Sequence, residues 1–366
     1  MEGFKNFFAT RWGIIFVGLV IGVLAPLLQK FGNPPNMGIC VACMERDIAG
    51  ALGLHRASVV QYLRPEIIAF VLGAFFSALA FKEYRPRGGS APFIRFILGM
   101  FAMIGALVFL GCPWRTILRL AGGDGNAISG LLGLISGIWL GTRFLKAGYS
   151  LGKTQPAPSK MAGVAFPLLM FGLLVLLFID PQPPDQARGM ILFYSLKGPG
   201  SQHAPLAVSL SAALLIGILA QRSRFCTMGA FRDLILFKQG HLFSGVAAFF
   251  IAALATNLLL GQFNPGFAGQ PIAHTMQLWN FLGMTLAGLA FSLSGGCPGR
   301  QLFLSGEGDA DAAVFASGMI VGAAISHNFG LASSPAGIGP NGAIATIIGL
   351  VVCIIIGLTM RRRVTK

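Results

Sequence analysis

Apolar residues along this chain come in long, nearly unbroken runs separated by short polar, glycine- and proline-rich segments. Ten such runs, at roughly 12–28, 65–81, 92–111, 126–146, 162–179, 205–221, 241–260, 279–295, 310–328 and 339–360, are 17 to 22 residues long. A helix of that length crosses a hydrocarbon core of about 30 Å, so each run predicts a transmembrane span. Four shorter segments break the pattern: 37–54 and 113–121, then 226–238 and 298–305. Those near 37–54 and 226–238 carry charge and are too short to cross; those at 113–121 and 298–305 follow a Cys-Pro break. All four predict re-entrant half-helices, which are tolerated at that depth only where they line protein or a water-filled cavity.

Composition agrees. The 366 residues are 55% hydrophobic and 11% charged, against about 25% charged in an ordinary soluble domain. A soluble dehydrogenase, a secreted disulfide scaffold and a DNA-binding domain are thereby excluded. The net charge of +15 belongs to the loops of a membrane protein, where basic residues collect on the cytoplasmic side. With a cytoplasmic N-terminus, 19 of the 27 basic residues fall inside, Lys5, Arg362, Arg363 and Lys366 among them, and 8 outside. The loops 261–278 and 329–338 carry no charge. This predicts a multi-pass protein of the cell inner membrane with both termini in the cytoplasm.

The chain also repeats itself. Cys40-Val-Ala-Cys43-Met44-Glu-Arg46-Asp47 aligns with Cys226-Thr-Met-Gly-Ala-Phe-Arg232-Asp233, at an offset of 186 residues. Gly111-Cys112-Pro113-Trp-Arg115 aligns with Gly296-Cys297-Pro298-Gly-Arg300, at an offset of 185. Gly-Asp follows each of the second pair, at Asp124 and Asp309, then glycines at Gly133/Gly318 and Gly137/Gly322. The first copy begins at the first span and the second at the sixth. Five crossings separate them, and an odd number turns one copy upside down, as in many transporters. The expected fold is therefore an all-α polytopic membrane protein with about ten transmembrane helices, re-entrant half-helices and inverted internal repeats. Residues 12–146 form repeat one, 147–204 a connecting fifth span and external loop, 205–328 repeat two, and 339–360 an additional span.

The repeated motifs are where chemistry is expected. Proline cannot continue the helix before Cys112 or Cys297, but it suits the first position of a new one, which makes each cysteine an N-cap. A helix start offers free N–H groups and about half a positive charge to an anion. Arg115 and Arg300 lie in the same first turns. Cys40, Cys43, Met44 and Asp47 follow helical spacing on one face; Cys226 and Asp233 hold the matching positions in the other copy. Arg46-Asp47 and Arg232-Asp233 read first as ion pairs that hold the half-helices, and Asp124 and Asp309 as caps. Inversion brings Cys40 and Cys112 from outside and Cys226 and Cys297 from the cytoplasm. Cys353, within the last span, reads as packing, and His55, His203, His241, His274 and His327 show no ligand spacing. No metal or cofactor is expected.

These half-helix cysteines, the two Gly-Cys-Pro motifs and the duplication resemble the YeeE/YedE family of sulfur-compound transporters over nearly the whole chain. The stretch from Met37 to Gly53, Gln221-Arg-Ser-Arg-Phe-Cys226 and Gly269-Gln-Pro-Ile-Ala-His274 resemble the YedE branch associated with selenium metabolism. The resemblance implies an hourglass-shaped protein with a central line of essential cysteines that takes up thiosulfate-like anions. Carried over motif by motif, that line is Cys40, Cys112 and Cys297, with Cys226 as the symmetric fourth and Cys43 outside the pattern. It also implies a separate cytoplasmic TusA-like sulfur carrier as partner. The alternative is a membrane-embedded thiol relay that passes sulfur or selenium covalently to such a carrier. No nucleic acid partner is expected.

Overall fold

A computed structural model describes residues 7–361 of the chain; Lys5, Arg362, Arg363 and Lys366 lie outside them. The protein is an all-α polytopic membrane protein. Its first half consists of α1 (Arg11–Lys30), α2 (Val41–Ala51), α3 (Pro65–Ala80), α4 (Pro92–Phe109), α5 (Pro113–Ala121), α6 (Asn126–Lys146) and α7 (Ala165–Ile179). The second consists of α8 (Leu206–Ser223), α9 (Thr227–Phe237), α10 (His241–Leu259), α11 (Gln277–Ser294), α12 (Pro298–Gly306), α13 (Ala310–Asn328) and α14 (Gly342–Thr359). Each of the ten apolar runs falls on a helix. Eight helical stretches are long and apolar enough to cross a membrane, counting α4 with α5, α8 with α9, and α11 with α12; α3 and α7 are shorter. The only regular strands among the described residues, Arg87–Gly88 and Gln155–Pro156, form a minimal antiparallel pair.

The four short helices α2, α5, α9 and α12 begin where the sequence predicts a break. Cys40, Cys112, Cys226 and Cys297 are their N-caps, each with extended backbone. Pro113 and Pro298 open α5 and α12, where a missing N–H costs nothing. Asp309 caps α13 through Ala312 N at 3.1 Å. Asp124 accepts from Asn126 N at 2.9 Å and pairs with Arg119 at 2.6 Å, just ahead of α6.

The loops gather at two faces. On one, Arg85 N donates to Glu307 O, Ala157 N to Pro86 O, and Ser150 N to Met360 O. On the other, Phe193 N donates to Ala51 O, Gly125 N to Gly266 O, and Ala204 N to Asn33 Oδ1. The segments 82–87, 143–153 and 222–238 supply the first face with basic side chains, whereas the loops 261–278 and 329–338 on the second have none.

The most extensive helix pairings each take one member from either half: α1 with α10, α3 with α8, α4 with α13, α6 with α11, and α4 with α11. In lipid no hydrophobic force drives helices together, and small residues favour association by letting backbones approach closely. The glycines that repeat in sequence serve this purpose at matching places. A Cβ on Gly133 would lie 2.1 Å from Phe281 O, and one on Gly318 would lie 2.2 Å from Phe96 O. Gly137 meets Thr285 O and Gly322 meets Met100 O in the same way. Both pairs of facing carbonyls are themselves separated by the 185-residue offset. The outer helices do not follow this reciprocity: α7 packs on α3 and α12, whereas α14 packs on α4 and α11.

Candidate functional site

Five of the six cysteines meet in the interior, in two groups. In the first, Cys40 Sγ lies 2.8 Å from Cys43 Sγ and 3.8 Å from Cys112 Sγ. Cys43 N donates to Cys40 Sγ at 3.3 Å, so the thiol at the start of α2 caps its own helix. The N-terminus of α5 arrives at the same point through Cys112. Two positive helix ends thus converge on three thiols, an arrangement that favours negative charge or polarizable sulfur between them. Met44 is buried beside them on α2.

Arg115 closes this group. Its guanidinium is fully buried and donates to Cys43 Sγ at 3.2 Å, to Asn36 O at 3.1 Å and to Ile272 O at 3.2 Å. It thereby ties two loops of one face together across the thiols. Asn36 and Ile272 both have left-handed backbone, with φ of 55° and 50°.

The second group is built by the same rule. Cys226 caps α9 by accepting from Gly229 N at 3.2 Å, and Cys297, the N-cap of α12, lies beside it. Here the surroundings are open. A cavity of about 620 Å³ reaches in from the basic face to Cys226, lined also by Arg222, Arg224, Arg232, Asp233 and Arg300. The guanidinium of Arg300, the counterpart of Arg115, turns instead to Glu307, its Nη1 pairing with that carboxylate at 3.2 Å. Cys226 is 6% exposed, whereas Cys40, Cys43 and Cys297 are at 0% and Cys112 at 1%. The first thiol group is enclosed, and the second is reached from the basic face.

The Arg-Asp motifs form ion pairs. Asp47 holds Arg46 at 2.7 Å and Arg64 at 2.8 Å, all three buried. Arg64 in turn donates to Pro199 O and Gln202 O, which pins α2 to the 199–202 segment. Arg232 and Asp233 pair at 2.8 Å on the cavity wall. Cys353 is buried on α14, apart from both thiol groups.

Three residues not singled out by motif stand among the thiols. Trp114, directly after Pro113, is 1% exposed. Its indole packs edge-on to Phe70, Phe225 and Phe249, with centroids at 6.0, 5.8 and 6.0 Å, and tilted to Phe303 at 6.1 Å. Among the described residues its Nε1–H has no hydrogen-bond partner, and neither has the hydroxyl of Thr227, beside Cys226. A buried polar group left so costs about 1–3 kcal/mol. Glu45 is buried near Cys112 with Oε2 unpaired. One signal for Trp114 is present in the sequence: Cys-Pro-Trp-Arg in one copy faces Cys-Pro-Gly-Arg in the other.

Comparison with known proteins finds similarity to sulfur-compound transporters. Residues 222–362, which include the second thiol group, match a family described as sulphur transport. The chain is also 35% identical over 105 residues to the thiosulfate transporter TsuA of Spirochaeta thermophila, a match that takes in 27% of this chain and 29% of that protein. Both findings bear out the resemblance to the YeeE/YedE sulfur-compound transporters.

Proposed function

We propose that the protein is a permease that takes up a small sulfur- or selenium-containing anion along its interior thiols. The observation that carries this reading is the placement of four N-cap cysteines, with Cys43, in two groups. A thiol is polarizable and a weak donor, and a helix start adds N–H groups and partial positive charge. Such sites hold an anion without trapping it, as conduction requires. The cavity ending at Cys226, with its arginines, fits an exit or entry vestibule for an anion. The TsuA relative, a thiosulfate transporter by name, favours thiosulfate-like substrates; the selenium species rest on the sequence resemblance alone.

In this reading the two halves are inverted repeats, which fits the reciprocal helix pairs and the matched glycine–carbonyl contacts. The basic face is cytoplasmic and the membrane is the inner one, on the positive-inside argument. The vestibule then faces the cytoplasm, where a separate TusA-like carrier would receive the sulfur.

A second reading, the covalent thiol relay, is favoured by one feature: Cys40 and Cys43 stand 2.8 Å apart at a helix start. Sealed vesicles containing the purified protein separate the two. A permease delivers labelled thiosulfate or selenite free to the lumen; a relay given thiosulfate takes its outer sulfur onto a cysteine as a persulfide and releases sulfite. Cys112→Ala and Cys297→Ala should reduce lumenal uptake to background with expression intact, and Cys353→Ala should leave it unchanged. Normal uptake by the first two variants would overturn the assignment of the thiols.

A further inference from the structure

We propose that Trp114 is the discriminating element of this pathway: its indole separates the two thiol groups, and its Nε1–H is the donor an oxyanion takes in passing between Cys112 and Cys297. The inference rests on the permease reading and names a residue which that reading does not use.

Position comes first. Trp114 lies two residues after Cys112, and its ring touches the residues around the other group. Phe225 immediately precedes Cys226, and Gly299 lies two residues after Cys297. A Cβ at residue 299 would stand 3.2 Å from Cζ2 and 3.3 Å from Cε2 of the indole. The part of the indole next to the start of α12 is therefore its Cε2–Cζ2 bond, adjacent to Nε1. Four phenylalanines enclose the ring. The cage is thus in contact with residues that adjoin both thiol groups.

Chemistry comes second. The enclosing phenylalanines offer at most a weak π face, and among the described residues Nε1–H has no conventional acceptor. The hydroxyl of Thr227, the residue after Cys226, is buried and equally without a partner among the described residues. Two neutral donors therefore belong to residues at the second group, Thr227 beside Cys226 and Trp114 against Gly299. Neutral donors suit a passing anion, since a buried guanidinium at the same place would hold it. The division of labour follows: thiols receive the soft sulfur or selenium, while Trp114 and Thr227 receive the oxygens.

The test is made in sealed vesicles with Trp114→Phe and Trp114→Ala. Phenylalanine keeps a ring in the cage but removes the donor. Initial uptake of thiosulfate should fall about tenfold or more, the effect of losing one hydrogen bond to a charged group, while chloride stays excluded. Alanine should let chloride and sulfate leak. Binding is read separately from the emission of Trp114 in a protein whose Trp12, Trp139 and Trp279 are replaced by phenylalanine; thiosulfate should shift it. Wild-type uptake that is unchanged in Trp114→Phe, with no emission shift, overturns the inference and leaves the permease reading standing. Absence of sulfur-anion uptake by the wild-type protein overturns the permease reading, and this inference with it.

Discussion

The indole of Trp114 occupies the room that a side chain on Gly299 would need. These are the corresponding residues of the two Cys-Pro motifs, so the two copies have divided one space, the larger side chain on α5 and none on α12. Gly299→Val should therefore push the indole out of its cage. Uptake should fall to background while the purified protein stays monodisperse in size-exclusion chromatography; unimpaired uptake would show that the cage has slack.

The thiol groups should differ in reactivity. A membrane-impermeant thiol reagent presented to the basic face should modify Cys226 first, because it alone of the five borders the cavity. From the opposite face Cys40, Cys43 and Cys112 should be protected while Arg115 ties Asn36 to Ile272. Arg115→Gln should raise modification of Cys43 from that face, read by mass spectrometry of the labelled peptide.

Asp47 should prove structural. Asp47→Asn leaves Arg46 and Arg64 buried without their shared counter-charge, and breaking a buried pair costs about 3–5 kcal/mol. Thermal unfolding should drop sharply, whereas Asp233→Asn on the more exposed cavity wall should shift it little.

Acid should open the loop after α7 before it affects the spans. Burial raises the Asp180 pKa, but the amides of Leu192, Ile191 and Met190 outweigh it and hold the carboxyl below its ordinary value. The stabilisation is complete above the unfolded value of about 3.9 and is lost as pH falls through the folded one. Proteolysis within 181–200 should accelerate over that range, and Asp180→Asn should be cleaved readily at every pH.

What the sequence discloses depends on how local the physics is. The spans are legible because crossing a bilayer requires a continuous apolar run. Cys112 and Cys297 are legible as N-caps because proline dictates the break after each. Aligning the copies by identity finds what they share, and so passes over Trp114, whose importance lies in its difference from Gly299. Arg115 is visible as a first-turn arginine, but its partners Asn36 and Ile272 are 79 and 157 residues away, and no spacing rule brings them together. The packing of α7 and α14 is illegible for a related reason: a uniformly apolar helix does not declare which side meets protein.

The interleaving of the halves also bears on how the protein is made. Translation delivers a chain from its N-terminus at about 5–20 residues per second, and the main packing partners of α1, α3, α4 and α6 all lie in the later half. The first half must wait in the bilayer with Arg46, Asp47 and Arg64 on segments whose protein surroundings are incomplete. A ribosomal stall or truncation near residue 200 would therefore leave a set of mismatched spans rather than half of a working molecule, a natural substrate for membrane quality-control proteases.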